Sequence, residues 1–130
     1  MKKIALVSLA MLVLLGVAAV LVRASAGPQA DIPDNIKQLF KKNCVSCHSG
    51  RKPPHGLSWE PEKVAAAIDA PSIELTSFKI IDTSNPDASY VLKKVLGGKE
   101  ITGRRMPPGR HLSAADLETL KAWLSSLKKN

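Results

Sequence analysis

The sequence is poor in aromatic residues and in cysteine. Two Phe, two Trp and one Tyr make up 4% of its 130 residues, so few side chains are available to fill a large interior. Two cysteines cannot form the about two to four disulfide bridges that usually stabilise a small exported domain. The chain also lacks a convincing strand pattern and any internal repeat, which argues against a sheet protein and against a repeat array. Something else must therefore stabilise the fold.

A long apolar segment lies near the amino terminus. Lys2 and Lys3 precede an apolar run at residues 4–22, and an Ala-Ser-Ala sequence follows it, which is the pattern of a secretory signal peptide. We predict a signal peptide at residues 1–26 and a short linker at residues 27–33. The run of 19 residues approaches the about 20 that cross a bilayer, so an uncleaved inner-membrane anchor is the alternative. In either case the lysines place the rest of the chain outside the cytoplasm, in the periplasm.

Residues 34–130 are predicted to form one all-α domain of about four short helices. Asp34 is predicted to cap the first helix, whose apolar stripe continues to Cys44. Residues 61–69 predict a short second helix that ends before Pro71, because proline cannot continue a helix.

The two remaining helices have stronger boundary signals. The third begins at Asn85-Pro86, a capping residue followed by proline, and ends before Gly97. The fourth begins after the capping residue Ser113. Leucines then recur at helical spacings: Leu117, Leu120, Leu124 and Leu127. The connecting loops are about 12 to 15 residues long, well above the usual length. A chain wrapped around a large, flat, apolar cofactor would explain both the long loops and the scarcity of large side chains.

The segment Cys44-Val45-Ser46-Cys47-His48 identifies that cofactor, because C-x-x-C-H is the pattern of c-type haem attachment. Residues three apart lie on one face of a helical turn, so both thiols can bond to the vinyl groups of one porphyrin edge. His48 then directs its imidazole to the iron. We predict one covalent haem c, with Cys44 and Cys47 as its thioether attachments and His48 as the first axial ligand.

Three other uses of the two cysteines remain open at this point. A thioredoxin-like C-x-x-C would accompany a βαβ pattern, which the sequence lacks. A structural zinc site needs four ligands, and Cys44 and Cys47 with a distant His55 or His111 have no recognised finger spacing. A simple disulfide between Cys44 and Cys47 would leave the long loops unexplained.

The second axial ligand is predicted to be Met106, the one methionine outside the signal segment. Met106 lies in a loop, whereas a methionine that fills a core normally lies on a helix stripe, and core filling remains its alternative role. Pro107 and Pro108 restrict the backbone beside it and so fix the direction of the thioether. The rival ligands are His55, seven residues after the attachment motif, and His111, just before the last helix.

Residues 34–127 resemble a class I, mitochondrial-type cytochrome c domain, particularly the compact bacterial variety. Besides the C-x-x-C-H motif, the matching parts are Phe40, Gly56-Leu57, residues 85–90, the Arg-Met-Pro-Pro-Gly sequence at 105–109 and residues 112–123. The resemblance implies that the first and last helices cross, through Phe40, Leu120 and Trp123. It also implies His48 and Met106 as the iron ligands.

An iron with both axial positions filled cannot bind a substrate, so we predict a one-electron carrier rather than an enzyme. The expected partners are redox proteins, either acidic or membrane-bound, and membrane contact is expected only through the amino-terminal segment. Two alternatives remain. One is a haem protein with an open sixth position, either ligand-binding or peroxidase-like. The other is a haem-free thiol oxidoreductase that uses Cys44 and Cys47.

Basic residues flank both parts of the predicted site, and the net charge is +8. They are Lys41, Lys42, Arg51, Lys52, Arg104, Arg105 and Arg110. They either steer docking to an acidic partner or form a solvated face, with some arginines paired to haem propionates. A nucleic-acid role is not expected, because no binding motif accompanies the charge.

Overall fold

The computed structural model of the protein describes residues 31–128, and the regular structure in that range is helical. The elements are α1 (Asp34–Asn43), α2 (Tyr90–Leu96) and α3 (Ala114–Ser126), with 3₁₀ turns at Pro54–Gly56, Val64–Ala67 and Pro86–Ala88. Residues 31–128 contain no strand, and extended pairing is confined to single bridges between Ile68 and Ile81 and between Pro71 and Lys79. The predicted all-α class is confirmed.

The amino-terminal predictions concern other residues. The signal peptide or anchor at residues 1–26, and most of the linker at 27–33, lie outside the described range. Among the described helices, none is long and apolar enough to cross a membrane.

Helix α1 begins one residue earlier than the sequence predicts. Its N-cap is Pro33, whose carbonyl accepts from the N–H groups of Ile36 and Lys37, each at 3.0 Å. Asp34 is therefore the first helical residue and not the cap, which corrects the prediction. Its carboxylate lies in the first turn, where negative charge interacts favourably with the helix dipole.

Helices α1 and α3 cross over a cluster of aromatic rings. Phe40 on α1 is 1% exposed, and its ring stacks on Trp59 with 4.3 Å between centroids and 3° between planes. Trp123 on α3 meets the same ring edge-on, at 6.0 Å. Leu120 and Leu124 are fully buried beside it. The contact between the first and last helices that the resemblance implies is confirmed.

The start of α3 is also as predicted, and it is tied to α1. The Ser113 hydroxyl caps the helix by accepting from the Asp116 N–H at 3.0 Å. The Asp116 carboxylate accepts from the Lys42 ammonium at 2.9 Å. An N-cap and an ion pair thus fix this end of α3 against the last turn of α1.

Two predicted helices are shorter than the sequence indicates. In residues 61–69 only the 3₁₀ turn Val64–Ala67 forms, because Ile68 is extended and bridges to Ile81. The third helix starts at Tyr90 rather than at Asn85-Pro86, because Ser89 has ψ near 126° and separates the 3₁₀ turn from α2. Ser89 is fully buried and its hydroxyl accepts from the Asp82 N–H at 2.9 Å, so a tertiary contact sets this boundary.

Candidate functional site

The C-x-x-C-H segment extends α1 as a tight turn. The Cys44 N–H donates to the Phe40 carbonyl at 2.8 Å. The N–H groups of Cys47 and His48 both donate to the Cys44 carbonyl, at 3.2 and 3.0 Å. Cys44 is half-buried, Cys47 is exposed, and the two thiols are free. Five consecutive residues therefore present two thiols and one imidazole on a well-defined turn.

Burial makes Cys44 a poor redox nucleophile. Desolvation raises the pKa of its thiol to about 12, an effect that the positive charge of Arg110 opposes only in part. Thiol oxidoreductases need a lowered cysteine pKa, because the thiolate is the nucleophile. The environment of Cys44 argues against Cys44 as the nucleophile of a thiol oxidoreductase.

The imidazole of His48 is oriented by a backbone carbonyl. Its Nδ1 atom lies 3.0 Å from the Leu57 carbonyl oxygen. A carbonyl can only accept, so Nδ1 carries the proton and Nε2 keeps a free lone pair. The backbone N–H of Trp59 donates to the His48 carbonyl at 2.9 Å, which ties the same segment to the motif. Metal-ligating histidines typically donate their other N–H in this way, which fixes the tautomer and the ring orientation.

The loop that carries Met106 is fastened to both α1 and α2. The Met106 N–H donates to the Lys94 carbonyl at 2.7 Å. Arg110 donates to the Asn43 side-chain oxygen at 2.9 Å, directly before the first cysteine. At the end of α2, Gly97 has φ +80°, and a Cβ there would lie 2.9 Å from the Arg105 Cδ atom. Glycine thus lets the methionine loop approach the helix closely.

These segments enclose one cavity of about 380 Å³, within the range of small-molecule and cofactor sites. Its lining includes all four predicted site residues: Cys44, Cys47, His48 and Met106. Apolar side chains provide much of the remaining wall, among them Leu57, Trp59, Ile80, Val91 and Val95. Two thiols, an imidazole with a free Nε2 and a thioether in an apolar cavity are the donor set that a covalently bound haem requires, so the residues present fit that group.

Residues 31–124, most of the chain, match the family described as cytochrome C oxidase, cbb3-type, subunit III. The chain belongs to this family. Its domain is a cytochrome c domain, which is an electron-transfer module and not an enzyme, and family membership implies covalently bound haem c. The predicted resemblance and the cytochrome c fold are confirmed. No curated protein and no solved structure matches the chain.

The two rival histidines have different positions in this cytochrome c domain. His55 lies at the cavity wall, with its side chain 56% exposed and its Nε2 atom 3.5 Å from the Glu74 carboxylate. His111 is exposed, contacts the Arg105 guanidinium and is not among the cavity residues. Within residues 31–128, no group of three or more His, Cys, Asp and Glu side chains is arranged to hold a metal ion.

Sequence reasoning missed a polar cluster at the cavity. Lys94 is a buried residue, and its ammonium lies 3.0 Å from the Glu74 carboxylate. Burial disfavours ionised Glu74, but hydrogen bonds from Lys94 and Tyr90 outweigh it, so the pKa of this carboxyl is lowered. No signal in the sequence distinguishes Lys94 from its neighbour Lys93, because the two differ only in which face of a seven-residue helix they occupy.

The basic residues around the site are used in two ways. Lys42 pairs with Asp116, and Arg110 hydrogen-bonds to Asn43, so these two charges help to hold the domain together. Others lie exposed around the attachment motif and the methionine loop: Lys41, Arg51, Lys52 and Arg104. Lys42 and Arg110 are also exposed, so they belong to the same basic surface.

Proposed function

We propose that this protein is a single-haem c-type cytochrome that carries one electron at a time between redox proteins outside the cytoplasm. The observation that carries the proposal is the meeting of Cys44, Cys47, His48 and Met106 at one cavity. These residues come from two segments about sixty positions apart, and the sequence assigns each of them a role in haem binding.

In this proposal each of the four side chains has a defined task. Cys44 and Cys47 would hold the haem by thioether bonds, His48 Nε2 and Met106 Sδ would ligate its iron, and the bound haem would supply a reversible one-electron couple. The hydrogen bond from His48 Nδ1 to the Leu57 carbonyl keeps the imidazole in the ligating tautomer and raises its basicity. The apolar cavity wall excludes water and lowers the local dielectric.

We further propose that partners dock beside the attachment motif. Cys47 is exposed there, and the nearby cations Lys41, Arg51 and Lys52 are exposed as well, so the face attracts an acidic protein surface. The family description names an oxidase subunit. We extend it to this chain as a class of partner, a membrane-bound oxidoreductase. The signal peptide or anchor at residues 1–26 places the domain in the periplasm.

The variant Met106→Ala tests the ligand assignment. The ferric protein should lose the far-red absorption band of methionine-ligated iron, the ferrous protein should gain rapid carbon monoxide binding, and the reduction potential should fall. His55→Ala and His111→Ala are the matched controls and should keep the band. Unchanged spectra and potential in Met106→Ala would refute the assignment. A wild-type protein that already binds carbon monoxide readily would favour the open-site alternative.

A further inference from the structure

Lys94 is buried, which is rare for lysine. Its side chain is 11% exposed and its ammonium lies 3.0 Å from Glu74 Oε2, whose side chain is 16% exposed. A buried ammonium needs a counter-charge and further acceptors, because it has lost its hydration shell. The Thr102 carbonyl oxygen, 2.8 Å away, is the second acceptor. Lys94 therefore bridges Glu74 in one loop and Thr102 in the loop that carries Met106.

The same residue holds the methionine loop a second time through its backbone. The Lys94 carbonyl is among the last four of α2, which have no partner inside the helix. The Met106 N–H donates to this carbonyl at 2.7 Å. The backbone N–H of Thr102 is also held, because it donates to the Tyr90 hydroxyl at 3.1 Å. The segment of five residues from Thr102 to Met106 is thus hydrogen-bonded to α2 at both of its ends, and Lys94 contributes a bond at each end.

We propose that the Lys94 ammonium, held in place by Glu74, is a positioning group that keeps the Met106 thioether directed into the cavity. The inference rests on the proposed function, since it concerns Met106 as an axial ligand. The physical reason is conformational entropy. Gly103 has φ +68° and gives the segment freedom to reorient, so releasing Thr102 removes the anchor on the amino-terminal side of Met106 and leaves its own N–H and the Arg110 contact with α1.

The chain offers a matched control on the same helix. Lys93 also pairs with an acid of the following loop, Glu100, at 2.7 Å. Glu100 is 69% exposed, and the Lys93 ammonium donates to this carboxylate rather than to the segment from Thr102 to Met106. Lys93→Leu thus removes a lysine from α2 and a contact with the same loop without releasing Thr102.

The test uses the double variant Lys94→Leu/Glu74→Leu in the haem-loaded protein. Replacing both members of a buried pair by apolar residues avoids leaving one charge unpaired, so the fold is expected to persist. Thermal unfolding by circular dichroism checks this. The readouts are the far-red ferric band and the rate of carbon monoxide binding to the ferrous protein. Tyr90→Phe, which removes the hydroxyl that holds both the Thr102 N–H and the Glu74 carboxylate, is the second variant.

We expect the double variant to contain at least about ten times more protein with Met106 dissociated, the lower bound that corresponds to one lost charge-assisted hydrogen bond. Carbon monoxide binding should quicken in proportion to the dissociated fraction, and the band should weaken by that fraction. Tyr90→Phe should change in the same direction by less, and Lys93→Leu should match the wild type. Should the double variant fail to fold, Tyr90→Phe decides, because it loosens both Thr102 and the carboxylate that holds the Lys94 ammonium.

Folded variants with a wild-type band and wild-type carbon monoxide kinetics would overturn the positioning role while leaving the proposed function intact. An equal effect from Lys93→Leu would also overturn it, because the effect would then not depend on Thr102. A wild-type protein without the band would refute the ligand assignment and this inference together.

Discussion

The contact between α1 and α3 depends on Phe40, and truncating this side chain should be costly. Phe40 is 1% exposed, stacked on Trp59 and met edge-on by Trp123. Phe40→Leu keeps most of the apolar volume but removes both ring pairs. Each such pair contributes about 0.5–1.5 kcal/mol beyond area burial, so the loss should be about 1–3 kcal/mol. Phe40→Ala also leaves a cavity, for which about 3–5 kcal/mol is typical.

These values are large for a domain of this size. One kcal/mol moves the Tm of a domain of about 100 residues by roughly 4–8 °C, so Phe40→Leu should lower it by at least about 4 °C. The assay is guanidinium and thermal unfolding of the haem-loaded protein, followed by circular dichroism. Leu96→Ala is the control, because Leu96 is 51% exposed and should change the free energy of unfolding by no more than about 0.5 kcal/mol. A Phe40→Leu protein as stable as this control would refute the idea that the ring cluster joins the two helices.

Three further predictions concern single contacts. Ser113→Ala removes the N-cap of α3 and should lower the free energy of unfolding by about 1 kcal/mol in chemical denaturation. Gly97→Ala forces a side chain into φ +80°, ψ −175° and should cost about 1–3 kcal/mol in the same assay. Hydrogen bonds from Lys42 lower the pKa of Asp116 below its ordinary 3.8. Its ionised form therefore stabilises the fold above that pH, and the stabilisation is lost on acidification through the lowered pKa. A Tm series between about pH 5 and pH 2 should fall less steeply for Lys42→Ala than for the wild type.

Each of these has a clear contrary result. A Ser113→Gly protein should be nearly as stable as the wild type, so equal losses for glycine and alanine would contradict the capping explanation. Gly97→Ala with an unchanged unfolding midpoint would show that the backbone there tolerates a side chain. Parallel plots of Tm against pH for Lys42→Ala and the wild type would show that the Lys42–Asp116 pair does not contribute to the loss of stability at low pH.

The elements best predicted from sequence are those with local signals. Helix α3 has a capping serine and leucines at helical spacing, and it forms over Ala114–Ser126 as predicted. The attachment motif is a contiguous signature, so its turn after α1 was also predictable. For both, the information lies within a few neighbouring residues.

The features of the fold and of the site that have no local sequence signal depend on contacts between distant residues. The start of α2 is set by Ser89, whose hydroxyl accepts from Asp82, and the second predicted helix is cut short by the bridge between Ile68 and Ile81. The partner of Lys94 is Glu74, twenty residues earlier in an irregular loop. No periodicity relates such residues, so the polar cluster at the cavity becomes visible only in three dimensions.

Covalent haem is the property on which the proposed function rests. Intact mass spectrometry of the protein, produced in a host that matures c-type cytochromes, tests for it most directly. The predicted result is the polypeptide plus the mass of one haem, with neither Cys44 nor Cys47 reacting as a free thiol. A well-folded, colourless protein with the bare polypeptide mass and two reactive thiols would contradict it.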